Sequence, residues 1–367
     1  RNMTKIKDII ESLEEWAPKS YAESYDNPGL IVGDKNTDVK GVMVSLDCTE
    51  DVVREAREKG CNLIVSHHPI IFKGLKSITG KNYVERTVLF AIKSDIALYA
   101  IHTNLDNVPT GVNKMISDTI GLENPKILSP KSGELEKLEV FVPIDHRDVL
   151  REALFAAGGG EIGAYSKCSF NIEGTGTFLP GEDADPYSGN KGKLEEASEV
   201  KIEVMYPTYL RRSILSAMRK AHPYEEVAYY LHPLSNQNQF LGSGMVGELS
   251  DQMELDTFLA YLKNSMELNV IRHTKDVGKM IRRVAICGGS GSFLLNAAKA
   301  AGANVLITGD FKYHEFFDAE NDIVIADIGH YESERFTVDL IGAFIRKKFS
   351  TFATHFTEVN TNPIHYF

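Results

Sequence analysis

Apolar residues follow two different periods along the first third of the chain. Helical spacing, with apolar residues three and four positions apart, occurs in the windows 6–15, 50–59 and 84–94. Short unbroken apolar runs, which predict buried strands, lie between these windows at 39–46, 63–66 and 97–101. Regular alternation of helices and strands predicts an α/β layer with mainly parallel strands.

The pattern changes over residues 135–234. Two β-α-β units of similar length follow each other there, with strands predicted at 138–143, 168–172, 175–178, 200–205 and 227–231 and helices at 147–157 and 209–221. This order is typical of a ferredoxin-like α+β module. A polar stretch at 180–198, rich in glycine, aspartate and serine, has no hydrophobic period and is predicted to be a loop or partly disordered.

The α/β alternation resumes after Gly242. Helices are predicted at 256–263, 293–301 and 332–347, the last of them long and amphipathic, and strands at 283–286, 305–307 and 323–326. The simplest organisation is one α/β domain split into two halves, residues 1–134 and 241–367, with the ferredoxin-like module inserted at 135–240.

The composition is that of a globular protein with two or three domains. Hydrophobic residues make up 43% and charged residues 25% of the 367 positions, and no apolar run has the length of a membrane span. The chain starts with hydrophilic residues, and its four scattered cysteines include no Cys-x-x-Cys pair. These features predict a cytoplasmic protein whose thiols are reduced. A formal net charge of −11 disfavours nucleic acid as a partner.

The adjacent histidines His67 and His68 are the first candidate functional group. They follow the apolar run 63–66 and precede Pro69, so two imidazoles lie where a buried strand ends. Neighbouring side chains of a strand point to opposite faces, and therefore the two rings cannot easily bind one ion at ideal angles. This geometry favours one ion for each ring.

Two further polar groups also follow predicted strands. His102 and Asp106 come after the run 97–101. His330 and Glu334 come after a later strand, with the i, i+4 spacing that places two side chains on one helical face. Imidazole and carboxylate together suit Zn, Mn, Fe or Co. Structural alternatives stay open, since Asp106 can cap a turn and Glu334 can complement a helix dipole.

The candidate ligands number five, and they are His67, His68, Asp106, His330 and Glu334. Five protein ligands are too few to close two metal sites, so water would complete the coordination. Open positions of this kind are typical of catalytic rather than structural metals. A hydroxide that bridges two ions about 3.5–4 Å apart is the usual nucleophile in such sites.

Asp310 and His314 form a fourth polar group after the strand predicted at 305–307. They are spaced i, i+4 if a helix begins there, and they would orient a ligand imidazole or, like His102, move a proton on the substrate as catalytic groups. The alternative is that Asp310 caps the helix and His314 is exposed. The glycine-rich run 288–292 presents backbone N–H groups to an anion or forms a tight turn.

Four motifs together resemble those of the NIF-three-like (YbgI-type) family of dinuclear metal proteins. They are Tyr25-Asp26-Asn27-Pro28-Gly29-Leu30, Ser66-His67-His68-Pro69, Thr103-Asn104-Leu105-Asp106 and Gly329-His330-Tyr331-Glu332-Ser333-Glu334. The resemblance implies a complete set of metal ligands: His67, His68, Asp106, His330 and Glu334.

The resemblance also implies an assembly and a cofactor. The inserted region is similar to the PII/CutA-like module of the longer bacterial members, and members with it form ring-shaped homohexamers whose metal sites face an internal cavity. Members are often labelled GTP cyclohydrolase I type 2 homologs. The expected cofactor is a pair of divalent metal ions, with zinc favoured over manganese, iron or cobalt.

Two functions are compatible with these residues. The first is a metal-dependent hydrolase in which a metal-bound hydroxide attacks a nucleotide-like or other small anionic substrate. For GTP, the target would be C8 of the guanine ring and the reaction would release formate. The second is a non-enzymatic metal-binding oligomer whose PII/CutA-like module senses an effector or a partner. Open, water-bearing metal positions favour the enzyme.

Overall fold

The computed structural model describes residues 3–367. The chain forms two compact units, of which the first comprises the chain up to Pro130 together with Phe240–Phe367. The second unit comprises Lys131–Gln239. Within residues 3–367, no helix combines the length and the apolarity that a membrane span requires.

The first segment of the chain alternates helices and strands, as its hydrophobic pattern predicts. Its elements are α1 (Ile6–Trp16), β1 (Gly29–Val32), β2 (Gly41–Ser45), α2 (Glu50–Glu58), β3 (Leu63–Ser66), α3 (Tyr83–Lys93), β4 (Ala97–Ala100), α4 (Thr103–Asp106), α5 (Val112–Ile120) and β5 (Glu123–Ser132). Asn82 begins α3 as its N-cap, because its side chain accepts a hydrogen bond from the Glu85 amide.

The second unit contains one antiparallel sheet and two helices. Its elements are β6 (Leu135–Pro143), α6 (Arg147–Ala156), β7 (Phe170–Phe178), β8 (Glu195–Pro207), α7 (Arg211–Ala221) and β9 (Tyr229–Leu234). The strands lie in the order β7-β8-β6-β9, and every neighbouring pair is antiparallel. This β-α-β-β-α-β succession is the element order of ferredoxin-like folds. Alternate residues of β6, namely Leu138, Val140 and Val142, pack in the unit's own core.

The last segment returns to the first unit. Its elements are β10 (Gln237–Met253), α8 (Leu255–Ser265), β11 (Arg272–His273), β12 (Ile281–Ser290), α9 (Leu295–Ala300), β13 (Val305–Gly309), β14 (Val324–Asp327), α10 (His330–Glu334), α11 (Thr337–Lys348) and β15 (Ala353–Phe356). A short 3₁₀ helix over Tyr313–Ala319 lies between β13 and β14.

The first unit contains two mixed sheets with parallel centres. The first sheet has the order β1-β4-β3-β2-β15, and only β1 runs antiparallel to its neighbour. The second sheet has the order β11-β14-β13-β12-β10-β5, in which β12, β13 and β14 are parallel. The carboxyl ends of parallel strands lie at one edge of a sheet, so residues that follow different strands can meet there.

The two sheets share one apolar core, and this explains their continuous hydrophobic runs. On β3, Leu63 and Val65 pack in this shared core, whereas Ile64 packs in a separate cluster with α2 and α3. On β13, Val305 and Ile307 pack in the shared core. A strand that is covered on both faces has no polar face, so its sequence is apolar throughout.

Some predicted boundaries are wrong. The helix predicted over 332–347 is two helices, α10 and α11, because the regular helix is interrupted at Arg335 and Phe336. The Arg335 guanidinium donates to the carbonyl oxygens of Met266 and Glu267, at 2.6 and 2.9 Å, and this fixes the junction. The end of the polar stretch predicted as a loop, from Glu195 onward, belongs to β8.

The chain leaves and re-enters the second sheet at neighbouring strands. It leaves along β5 and returns along β10, which lie side by side at the end of the sheet. The two strands approach closely at Gly242, where a Cβ atom would lie 2.1 Å from the carbonyl oxygen of Ser129. Only glycine fits at this position without a shift of the neighbouring backbone.

Replacing Ile9 by alanine should lower the free energy of unfolding of the first unit by about 2–5 kcal/mol, because Ile9 is fully buried on α1. The matched change Ile92→Ala removes a side chain on α3 that is 49% exposed and should alter this energy by less than about 0.5 kcal/mol. Urea titration followed by the fluorescence of Trp16, the single tryptophan, reports on this unit. Equal losses from both changes would contradict the burial of this face of α1.

Candidate metal centre

A histidine–carboxylate cluster lies at the carboxyl ends of parallel strands from both sheets of the first unit. It consists of His67, His68, His102, Asp106, His330 and Glu334. The strand β3 ends directly before His67, and β4 ends just before His102. The short helix α10, which follows β14, contains both His330 and Glu334. Residues from distant parts of the sequence therefore meet at one place.

Two groups of three potential ligands share the Glu334 carboxylate. In one group the His67 Nε2 atom lies 3.5 Å from Asp106 Oδ1 and 3.4 Å from Glu334 Oε1. In the other the His68 Nε2 atom lies 2.8 Å from Glu334 Oε2 and 3.3 Å from His330 Nε2. Within each group the potential ligand atoms all lie within 4.8 Å of one another. The adjacent histidines belong to different carboxylate groups, but a third group of three, formed by His67, His68 and His102, brings both rings together. One ion for each ring therefore stays a prediction.

The cluster has the chemistry of a divalent metal site. Although His67 Nε2 and Asp106 Oδ1 are both buried, neither has a hydrogen-bond partner among the described residues. Each such buried polar atom costs about 1–3 kcal/mol if it stays unpaired. A cation between them would satisfy both atoms, and imidazole with carboxylate is a donor set that zinc, manganese, iron or cobalt accepts. The residues present therefore fit a metal ion.

The adjacent histidines are oriented through their second ring nitrogens. The Nδ1 atom of His67 donates to the carbonyl oxygen of Ile101, and that of His68 donates to Asp47 Oδ1, each at 2.8 Å. A donor proton on Nδ1 leaves Nε2 as the basic nitrogen that faces the cluster. Such outer partners are typical of metal-binding imidazoles.

The other two imidazoles are held in the same way by carboxylates. His330 Nδ1 donates to Asp310 Oδ2 at 2.7 Å, and His102 Nδ1 donates to Asp26 Oδ1 at 2.8 Å. Asp26 also accepts hydrogen bonds from the amide and the hydroxyl of Thr103. Burial opposes the ionisation of Asp26, but His102 and Thr103 outweigh it and lower its pKa to about 2. Asp26 is therefore an ionised carboxylate that keeps the Nδ1 proton on His102.

The structure separates Asp310 from His314. Asp310 has a φ of +60° and lies before the 3₁₀ helix, so the helical i, i+4 pair considered from the sequence does not form. Asp310 contacts His330 and accepts a hydrogen bond from the Ser290 hydroxyl. The exposed His314 ring packs against Tyr313 and Phe317 instead. Of this predicted pair, only Asp310 reaches the cluster.

Two carboxylates at the cluster are not among the site residues that the sequence predicts. Asp47 follows β2 and holds His68, and Asp26 holds His102. Asp47 has the same signal as the other polar groups, because it too follows a buried strand of the sheet. Asp26 lies in the Tyr25–Leu30 motif on which the resemblance depends, but the motif alone does not indicate that its aspartate holds an imidazole.

Charges within the cluster compensate one another. Burial alone would lower the pKa of His67, but the carboxylates of Glu334 and Asp106 hold it well above its usual value. Burial likewise opposes a high pKa at His330, yet Asp310 and Glu334 raise it to about 10. Burial would raise the pKa of Glu334, and the facing His68 and His67 hold it well below its usual value. Without a metal, protons on the imidazoles balance the buried carboxylate.

The glycine-rich run beside the cluster serves close packing. The Gly288 amide donates to Asn113 Oδ1 and the Gly289 amide donates to the Ser333 hydroxyl, so neither N–H is free for an anion. Gly289 has a φ of +75°, and a Cβ atom there would lie 2.6 Å from Glu334 Oε1. Glycine at this position gives the Glu334 carboxylate its space.

The cluster opens into a cavity of about 290 Å³. His102, Asp106, His330 and Glu334 are among its lining residues. The aromatic side chains of Tyr25 and Phe293 also line it, and they are 64% and 66% exposed. A small molecule in this cavity would therefore lie against Asp106, His330 and Glu334.

Fold and cluster together define an α/β protein whose strand ends carry a candidate metal site. Residues 4–363 match the family described as Duf34/NIF3 (NGG1p interacting factor 3), and the chain belongs to this family.

Relatives of known name and structure cover almost the whole chain. It is 39% identical over 363 residues to the GTP cyclohydrolase 1 type 2 homolog of Bacillus subtilis, which covers 97% of both chains. It is 43% identical to the protein of the same name from Halalkalibacterium halodurans, over 88% of this chain and 87% of that one. A solved Bacillus cereus protein related to NIF3 has a TM-score of 0.88 at 38% identity, with both chains fully covered. The ybgI protein, at 15% identity and a TM-score of 0.60, shares the fold.

Glu334→Gln should weaken divalent metal binding by at least about 10–100-fold, because Glu334 is the carboxylate that both ligand groups share. The matched change Glu332→Gln alters a carboxylate on the same helix that belongs to neither group. Metal retained after dialysis against zinc is measured by elemental analysis. Equal metal content in the two variants would exclude Glu334 as a ligand.

Metal affinity should fall as the pH is lowered from about 8 to about 6, since a metal ion must displace protons from the imidazoles. The sign follows from the raised pKa values of His67, His68 and His330, which keep these rings protonated in the metal-free protein. Calorimetry in buffers of different ionisation enthalpy measures the released protons. Binding without proton release would show that the rings are already neutral.

Proposed function

We propose that this protein is a dinuclear metal-dependent hydrolase that acts on a nucleotide-like substrate. The observation that carries the proposal is the pair of ligand groups around one shared carboxylate, open to a cavity. The name of the Bacillus subtilis relative, GTP cyclohydrolase 1 type 2 homolog, supports a purine nucleotide as the substrate class.

Each ligand group would hold one ion. His67 and Asp106 would hold the first, His68 and His330 would hold the second, and Glu334 would contact both. Zinc is the first choice for this donor set, with manganese, iron or cobalt as alternatives. Ions bound here act as Lewis acids and make water a stronger nucleophile at neutral pH.

His102 is the group best placed to move a proton. Its Nδ1 proton is committed to the ionised Asp26, so its Nε2 atom is the basic nitrogen. The residue lines the cavity beside the cluster. It would accept a proton at Nε2 during attack on the substrate and return it to the leaving group. Asp310 acts through His330, whose ring it orients, and is a positioning residue.

The cavity suits a planar base. Tyr25 and Phe293 line it, and their exposed rings offer aromatic faces for stacking. A volume of about 290 Å³ accommodates a purine ring, and the charged remainder of a nucleotide would extend toward solvent. This arrangement supports attack at a carbon of the base, which for GTP is C8, followed by release of formate.

A second candidate function is a non-catalytic metal-dependent sensor. The observation that favours it is the separate second unit, which has a core and a cavity of its own. In that case metal binding would change association with a partner without turnover. The homohexamer implied by the family resemblance stays a prediction under either function, and light scattering of the purified protein tests it.

Protein loaded in turn with zinc, manganese or iron should release formate from GTP, and His330→Ala should reduce the rate by more than about 100-fold. The matched change His232→Ala, on an exposed residue of β9, should leave the rate unchanged. Formate is quantified by a coupled dehydrogenase assay and GTP by chromatography. Absence of turnover with every metal would exclude the cyclohydrolase reaction and favour the sensor.

A further inference from the structure

A second cavity, of about 300 Å³, lies wholly within the second unit. The end of β7 and the loop that follows it contribute to its lining, with Phe178 and Tyr187 among the residues. Glu199 of β8 and residues of the segment 224–228 also line it. The loop is tied to this segment, because the Asp185 amide donates to Glu225 Oε1 at 2.8 Å.

Three aromatic rings, Phe178, Tyr187 and Tyr224, line this cavity, and we name them the aromatic cage. The ring centroids of Phe178 and Tyr224 are 6.3 Å apart with planes tilted by 54°. Those of Tyr187 and Tyr224 are 5.9 Å apart and tilted by 47°. Tyr187 and Tyr224 also contact imidazoles outside the cavity lining, with centroid distances of 5.7 Å to His146 and 5.0 Å to His222. Neither pair of cage rings stacks flat, so part of their ring surface remains for a third group.

All the ionisable side chains that line the cavity, apart from the tyrosines, are carboxylic acids. Three carboxylates, Glu199, Glu225 and Glu226, line it together with the aromatic cage. Among the described residues that line it, none is a lysine, an arginine or a histidine. An anionic ligand would therefore meet repulsion without compensation, whereas a cation would gain both Coulomb attraction and contact with the π faces.

The Glu199 side chain has room in this position because the residue beside it on the neighbouring strand is a glycine. A Cβ atom at Gly176 would lie 1.6 Å from Glu199 Oε1, so a larger residue would displace the carboxylate. Burial raises the pKa of Glu199, and a hydrogen bond from Tyr224 only partly offsets this effect. A cation close to this partly desolvated carboxylate would relieve the cost of its burial.

We propose that the aromatic cage and its glutamates form a binding site for a small organic cation with an alkylated ammonium head group. Aromatic faces next to carboxylates are the recognition chemistry of such cations. A strongly hydrated metal ion would gain less from the rings than a weakly hydrated alkylated ammonium ion, and a neutral aromatic ligand would gain no charge–charge attraction from the carboxylates. The inference does not rest on the proposed hydrolase activity, since every candidate metal ligand lies in the other unit.

Titration calorimetry of the full chain with choline tests the site. We expect saturable binding with one choline per chain and no saturable heat with dimethylbutanol, the uncharged isostere of choline, because the charge is required. Glu199→Gln and Tyr187→Leu should each weaken binding by about 3–30-fold. Tyr165→Leu is the matched control, since Tyr165 is 75% exposed and lies outside the cavity.

Each result decides the proposal. Absence of saturable binding by choline and by tetramethylammonium overturns it, as does equal binding of the uncharged isostere, which would mark a merely apolar groove. Unchanged affinity in both cage variants places the cation elsewhere and also overturns it. Circular dichroism shows whether each variant is folded. If Tyr187→Leu is not folded, Glu199→Gln provides the test, because it keeps the shape of the side chain. Binding that persists in His330→Ala separates this site from the metal centre.

Discussion

A carboxylate buried in the protein interior is the constraint on which the first unit depends. Glu334 is only 1% exposed, and an ionised side chain at such a position is tolerated only when cations surround it. His67, His68 and His330 supply the surrounding groups, either as imidazolium ions or as metal ligands. The backbone conforms to the same requirement, because Gly289 leaves room for the carboxylate. This corner of the fold is stable only when positive charge is present in one of these two forms.

The parallel strands of the two sheets bring together residues that are far apart in the sequence. His68 and Glu334 are separated by 266 positions in the sequence, and yet their side chains are in hydrogen-bond contact. Each sheet places the ends of several strands at one edge, so a polar residue needs only to follow a strand to reach the cluster. The same edge supplies the partners that orient the rings, since Asp47 follows β2 and Asp310 follows β13. Ligands and their supports therefore come from the same topological rule.

The same rule determines which strands and which site residues can be predicted from the sequence alone. The apolar runs predicted β2, β3, β13 and β14 because strands covered on both faces cannot contain polar residues, and the residues directly after them were natural candidates. The role of Asp26 cannot be predicted locally, since an isolated aspartate in a loop looks the same whether it caps a turn or holds an imidazole across the fold. Asp47 has the strand-end signal, but nothing in the local sequence identifies His68 as its partner. The break at Arg335 depends on carbonyl groups some 68 positions away, which no local period encodes. Long-range partners decide these features, and hydrophobic periodicity contains no record of them.

The junction at β5 and β10 has a consequence for the history of the chain. These strands are neighbours in the second sheet, so the distance between them is one that an ordinary hairpin turn spans. A gene that lost or exchanged the intervening hundred or so residues would still encode an unbroken sheet and an intact cluster. Conversely, the intervening unit has its own core and can accumulate change without altering the core of the first unit. Chains with a different insert, or with none, would therefore be accessible by single recombination events, and the two units can diverge at separate rates.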